Sequence, residues 1–214
     1  MKGVVNVKVY SREEERINII SHAAGFFLSC IALLFLVAHA IKQGGTAYIS
    51  SFIIFGLSLM VLYSASTLYH SAKDPQHRAR LKVFDHSSIY VLIAGSYTPY
   101  TLVTLQGRTG WIMFSIIWGA ALTGIILKLF FTGRFSIVST IMYVVMGWIA
   151  MFAIKPLYTH LPSDGFNWLI LGGIAYTIGA VLYSFKKIKF NHAIFHIFVL
   201  IGSICHFISI YFYV

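Results

Sequence analysis

Long apolar runs alternate with short polar breaks along this chain. Each run is about 20 residues, the length an α-helix needs to cross the hydrocarbon of a bilayer. Seven are present, over residues 17–41, 46–70, 82–104, 110–130, 135–154, 166–185 and 191–213. The connections are short, and no internal repeat or low-complexity tract interrupts them. The pattern predicts an all-α fold, a single seven-transmembrane helix bundle over residues 1–214 with 1–16 as a cytoplasmic N-terminal segment. Pro99, in G-S-Y-T-P-Y, should kink or end the third run near its outer part. Ala120 with Gly124, and Ala175 with Gly179, have the small-residue spacing of closely packed helices.

Composition agrees. The chain is 58% hydrophobic and 10% charged, against about 25% charged in soluble domains, which excludes a soluble globular class. No cleavable leader is expected, because Glu13, Glu14 and Glu15 precede a first run too long for a signal-peptide core. Cys30 and Cys205 fall inside apolar runs and read as buried free thiols.

The placement of basic residues sets the orientation. Thirteen of the 16 lysines and arginines lie in the N-terminal segment and every second connection, and three lie at the opposite end. By the positive-inside rule the N-terminus is cytoplasmic and the C-terminus extracytoplasmic. The net charge of +10 is therefore a topology signal, and no nucleic-acid partner is expected.

That frame brings certain side chains to one depth. His192 and His196 open the last run four residues apart, so a helix puts both imidazoles on one face. His70 ends the second run at the same, cytoplasmic end, and Asp85 lies near the start of the third. Three neutral imidazoles plus a water would make an open zinc site. H-x3-H alone is a weak signal, since paired histidines also serve as packing residues. Asp85 is a membrane-edge carboxylate, costly there and so a functional candidate; its bland alternative is a helix cap or a salt bridge to Lys82 or Arg80. Ser66, one turn before His70, could donate to a metal-bound water or an oxyanion, or bond back to its own helix.

The remaining histidines separate from this set. His206 returns to the face of His192 but about 21 Å further along the axis, which makes it a packing residue. His86 points away from Asp85 and is expected to pack or to face headgroups. His39 and His160 lie at the outer end, and His77 in a loop. Glu15, Asn18 and His22 form one polar stripe at the start of the first run; it could supply a fourth metal ligand, and the preferred reading is hydrogen bonds that orient the ligands or join helices.

Together, E-x2-N-x3-H at Glu15–His22, S-x3-H at Ser66–His70, D-H-S-S-I-Y-V-L-I-A-G-S-Y-T-P-Y from Asp85, and H-x3-H at His192–His196 resemble the hemolysin III family. These are bacterial relatives of the adiponectin and progestin receptors. The resemblance covers about residues 12–212. It implies seven spans with a cytoplasmic N-terminus and a zinc ion held by three histidines and a water. His70, His192 and His196 match those ligands. Asp85 matches the aspartate that holds the water, and Ser66 the serine near the metal. The wider superfamily includes alkaline ceramidases, which implies amide hydrolysis on lipids. The extended N-terminal domain of the animal receptors has no match here, so protein-hormone binding is not expected.

The preferred expectation is a zinc hydrolase of the cell membrane. Its substrate would be a lipid amide or ester with the acyl chain inside the bundle. Zinc would acidify the water, Asp85 would accept its proton, and Ser66 would help the oxyanion. A lipid-sensing receptor with structural zinc is the second reading. A cytolysin or channel ranks third, because no polar pore lining is evident. Substrate and oligomeric state stay open.

Overall fold

The computed structural model describes residues 10–131 and 136–214; Lys2, Lys8 and Arg134 lie outside them. Helix α1 runs Arg12–Gln43, α2 Thr46–Ser71, α3 Pro75–Pro99, α4 Gly107–Phe131, α5 Ser136–Gly147, α6 Ile154–His160, α7 Ser163–Ser184 and α8 Asn191–Tyr213. A π-helical stretch, Tyr100–Leu105, joins α3 to α4, and a 3₁₀ stretch, Ile149–Ala153, joins α5 to α6. No strand occurs among the described residues.

Local chemistry sets the helix ends. Ser11 caps α1 by accepting from the Glu14 N–H at 3.1 Å, with Glu13, Glu14 and Glu15 in the positive first turn. Asp74 caps α3 at 2.7 Å from the His77 N–H, with Pro75 at the first helical position. His77 is therefore on α3 and not in a loop, because the cap starts that helix seven residues before the apolar run. The α1–α2 turn is Gly44–Gly45, both at positive φ (77° and 86°), where a side chain would be strained.

Two interruptions have identifiable causes. α3 ends as an α-helix at Pro99, as expected, and continues as the π stretch. α4 crosses that stretch closely: a Cβ on Gly110 would sit 2.1 Å from the Thr101 carbonyl oxygen. The fifth run breaks at Trp148 and extends beyond residue 154 to His160. Pro156 cannot donate to the Phe152 carbonyl, which disfavours α-helix there. The Tyr97 hydroxyl enters the gap, donating to the Gly147 carbonyl at 2.7 Å and accepting from the Ala150 N–H at 2.9 Å.

Among the described residues, six helical segments are long and apolar enough to cross a membrane: α1, α2, α4, Ile137–His160, α7 and α8. α3 falls short because Arg78, Arg80, Lys82 and Asp85 occupy its first three turns. Large apolar side chains face outward, Phe152 at 89% exposure and Phe130 at 75%, as on a lipid-facing surface. This is a multi-pass membrane protein.

α2 and α8 form the interior. Their apolar windows are 56% and 50% buried, against 17% for Ile137–His160. The three metal-ligand candidates therefore stand on the two most enclosed spans. Phe52, Phe55, Leu59 and Leu62 of α2 pack with Val199 and Ile210 of α8, and with Leu36 and Leu92, in one apolar core. Gly124 and Gly179 are contact positions as expected: a Cβ there would strike the Tyr90 ring at 2.3 Å and Phe198 at 2.7 Å. Both cysteines are free; Cys205 is buried and Cys30 half-buried.

Candidate metal centre

α8 is seated before it contributes its histidines. Phe190 takes a left-handed backbone (φ 57°) that turns the chain into the helix. The Asn191 amide donates to the Tyr183 carbonyl at 2.9 Å, tying the start of α8 to the last turn of α7. The His192 N–H, one of the helix's unpaired first-turn donors, meets Glu14 Oε1 of α1 at 3.2 Å.

Three imidazoles then converge. His70 Nε2 lies 3.0 Å from His192 Nε2, and His192 Nε2 lies 3.1 Å from His196 Nε2. The three ligand atoms fall within 4.8 Å of one another, and all three residues are buried. Tetrahedral zinc, with Zn–N bonds of about 2.0–2.1 Å, separates its ligand atoms by roughly 3.3 Å. The spacing fits a shared metal.

The outward nitrogens explain why the inward ones are free to ligate. His70 Nδ1 lies 2.6 Å from Glu15 Oε2, so this N–H donates to the carboxylate and leaves the Nε2 lone pair facing inward. Arg78 holds Glu15 from the other side in an ion pair. Its guanidinium also donates to the Ala72 carbonyl at 3.3 Å and lies 4.8 Å over the Tyr69 ring. Asn18 is fully buried 3.4 Å from His70 Nδ1, and its Oδ1 lacks a partner. With the amide turned over, that oxygen would accept from His70 as a second acceptor. Ser21 Oγ donates to the Asn18 carbonyl and lies 3.5 Å from His196 Nδ1. With outward protons on His70 and His196, the inward lone pairs would repel without a cation between them. That chemistry, as well as the spacing, fits a metal ion.

The ring faces are covered as well. His22 stacks on His196 at 3.5 Å between centroids, and Tyr10 on His192 at 4.8 Å. Burial pushes the Tyr10 phenol far above its ordinary value, so it stacks as a neutral ring.

One elongated cavity of about 160 Å³ opens beside the cluster. His192, His196, Asp85, Ser66 and His22 line one end. Ser66, like Ser87, is an exception among the helical serines. Ser58, Ser88 and Ser96 bond back to their own helices, whereas buried Ser66 Oγ has no partner. Asp85 is buried, with Oδ2 3.4 Å from His86 Nδ1, and Lys82 acts on it from one turn before. His86 thus lines the cavity beside Asp85, contrary to the divergent face expected of adjacent residues. Its ring folds back along the helix, with Nδ1 2.9 Å from the Lys82 carbonyl. His206 lines the same cavity but is not in the metal cluster, as its axial distance requires.

Some supporting residues were missed in sequence. Glu14 and Tyr10 act on an α8 that is 178 and 182 residues away in the chain. In sequence, Glu14 read only as one of three acids ahead of the first apolar run. Arg78 read only as a topology charge.

Similarity to known proteins converges with this geometry. A family model described as haemolysin-III related matches residues 10–207. "Hemolysin-3" of Bacillus cereus is 46% identical over 202 residues, covering 94% of this chain and 92% of that protein. "Hemolysin-3 homolog" of Bacillus subtilis (strain 168) is 47% identical over 205 residues, covering 96% of each. The human "Monocyte to macrophage differentiation factor" is 28% identical over 166 residues, covering 75% of this chain and 68% of that protein.

Proposed function

The chain belongs to the haemolysin-III related family, and from that premise we propose that it is a zinc-dependent hydrolase cleaving an amide or ester bond of an acyl lipid. The observation that carries this reading is the sharing of one cavity by two metal-ligand histidines, a buried carboxylate and a partnerless buried hydroxyl. Zinc in such a site supplies an acidified water and a Lewis acid.

The chain's own residues do the rest. Asp85 takes the proton from the attacking water on a carboxylate oxygen and passes it toward the leaving group. Ser66 Oγ, with no internal bond to break, donates to the developing oxyanion. Glu15 keeps the His70 proton on Nδ1, and Arg78 keeps Glu15 in place. The apolar length of the cavity holds the acyl chain and excludes water from it.

The orientation belongs to the same proposal. Seven spans place the N-terminus and the metal cluster at the cytoplasmic side of the cell membrane, and the C-terminus outside, on the strength of the basic-residue asymmetry. A reporter fused after Val214 should be active outside the cytoplasm, and one inserted between Gln76 and His77 should be cytoplasmic. Reporters on the same side would defeat the seven-span arrangement.

The test of the activity is metal analysis of the purified protein, paired with mass spectrometry of products from ceramide, acyl-amide and phospholipid substrates. Stoichiometric zinc with fatty-acid release is expected. Zinc without release from any of them would favour a lipid sensor with structural zinc.

A further inference from the structure

Two lysines are enclosed beside the metal end of the cavity. Lys82 of α3 is 9% exposed and Lys128 of α4 is 4% exposed. A lysine near the end of a membrane helix ordinarily extends its ammonium out to the headgroups. Lys128 instead lines the interior cavity, with Nζ donating to Ser139 Oγ of α5 at 2.5 Å. Helix packing holds it there. A Cβ on Gly124 would strike the Tyr90 ring at 2.3 Å, so this face of α4 lies tight on α3. Lys128 follows Gly124 by one turn on the same face, and His86 precedes Tyr90 by one turn on α3. Lys128 therefore stands near the level of His86 and Asp85. Lys82 lies one turn before His86, and the two ammoniums are close enough to repel each other.

The chain has little negative charge to set against them. All six of its acidic residues lie among the described residues, and five are placed elsewhere. Glu13 is exposed in the first turn of α1. Glu14 meets the His192 N–H, and Glu15 holds His70 and Arg78. Asp74 caps α3, and Asp164 is in the first turn of α7, whose last turn is the one tied to the metal end. Only Asp85 is left, and it acts on Lys82 while its Oδ2 lies 3.4 Å from His86 Nδ1. Two lysines against one aspartate leave an excess of one positive charge beside the cavity. A buried charge lacking a counter-ion is costly, and an anion brought by the ligand would offset it.

The hydroxyls support the same reading. Ser139 and Thr140 line the cavity with Lys128, which gives that corner side chains able to donate to phosphate or carboxylate oxygens. Its level near Asp85 sets the corner apart from the apolar length of the cavity. An acyl lipid with its chain along that length and its carbonyl beside the metal cluster would bring its headgroup to this corner.

We propose that Lys128 and Lys82 form an anion subsite for the headgroup of the acyl lipid, so that the substrate carries a phosphate or carboxylate next to the cleaved bond. This rests on the reading of the cavity as the site of an acyl-lipid hydrolase, and deepens it by naming the substrate class.

The test reads binding on lipids that have no acyl bond to cleave. Purified zinc-loaded protein is equilibrated with equimolar pairs, hexadecyl phosphate with hexadecanol and hexadecyloxyacetate with hexadecyloxyethanol, and native mass spectrometry reads the bound ratios. A preference of roughly ten- to hundredfold for the anion is expected in at least one pair, the worth of a charge-assisted hydrogen bond. The pair with the larger ratio tells phosphate from carboxylate. Lys128→Met should bring that ratio toward unity, with zinc and neutral-lipid binding retained, and Lys82→Met should lower it. Retained zinc separates the lysines from the metal as the source of the preference. Equal binding of charged and neutral lipids by the wild type would overturn the subsite and leave the hydrolase reading standing. A preference undiminished in both variants would also overturn it. The predicted preference in a protein that releases no fatty acid from any acyl lipid would sustain the subsite and remove the hydrolase.

Discussion

His70 and His206 are both buried imidazoles on the two most enclosed helices, at opposite ends of the molecule's interior, and they are supported in opposite ways. His70 has Glu15 on its Nδ1, Arg78 behind Glu15, and the Tyr69 ring at 4.7 Å. His206 has the Tyr176 ring at 5.3 Å and Gly172 of α7 against its own ring, and no carboxylate behind it. A metal ligand must present one lone pair in one direction, and the carboxylate relay achieves this by fixing the tautomer. A ring packed against a neighbouring helix, as His206 is against Gly172 of α7, needs no fixed tautomer. The contrast separates a preorganised histidine cluster from a packing contact between helices.

The largest effect that would break this contrast is on metal content. His70→Ala, His192→Ala and His196→Ala should each lose most of the bound zinc and lower thermal stability, while His206→Ala keeps its zinc. Metal analysis by mass spectrometry on the four purified variants decides this. Equal loss in all four would indicate general unfolding and remove the case for a specific site.

A smaller effect sharpens the role of the relay. Glu15→Gln keeps an acceptor near His70 Nδ1 but removes the charge, and zinc affinity should fall 10- to 100-fold in a chelator competition. Arg78→Met leaves Glu15 in place and should weaken zinc less. Unchanged affinity in Glu15→Gln would reduce the carboxylate to a surface ion pair.

The smallest effect concerns how α8 is seated. Glu14→Ala removes the acceptor of the His192 N–H and should cost about 0.5–2 kcal/mol of stability, the usual worth of a helix cap. Zinc should remain at full occupancy. Loss of zinc in this variant would mean that Glu14 does more than cap the helix.

The convergence of the three histidines was largely legible in the sequence because its signals are local. The four-residue spacing of His192 and His196, the place of His70 at the end of an apolar run and the stripe of Glu15 and Asn18 survive without knowing which helices touch. The alternatives for Ser66 needed coordinates, since a back-bond and a cavity-facing hydroxyl have the same sequence. His86 misled because side-chain folding can override the divergence of neighbouring helical positions. The break at Trp148 depends on the Tyr97 hydroxyl, 51 residues earlier, as well as on Pro156. His206 read as packing and does pack against Gly172 of α7, while its place on the cavity lining appears only once the helices are assembled.

The central claim is that the cluster is catalytic, and Asp85 is its most direct test. Wild type and Asp85→Asn are compared for zinc content and fatty-acid release on the same samples. Asparagine keeps the shape and one acceptor but cannot take the proton. Zinc should largely remain, and release should fall by roughly 10²–10⁴-fold, the usual share of a general base. Undiminished release from zinc-replete Asp85→Asn would contradict the account.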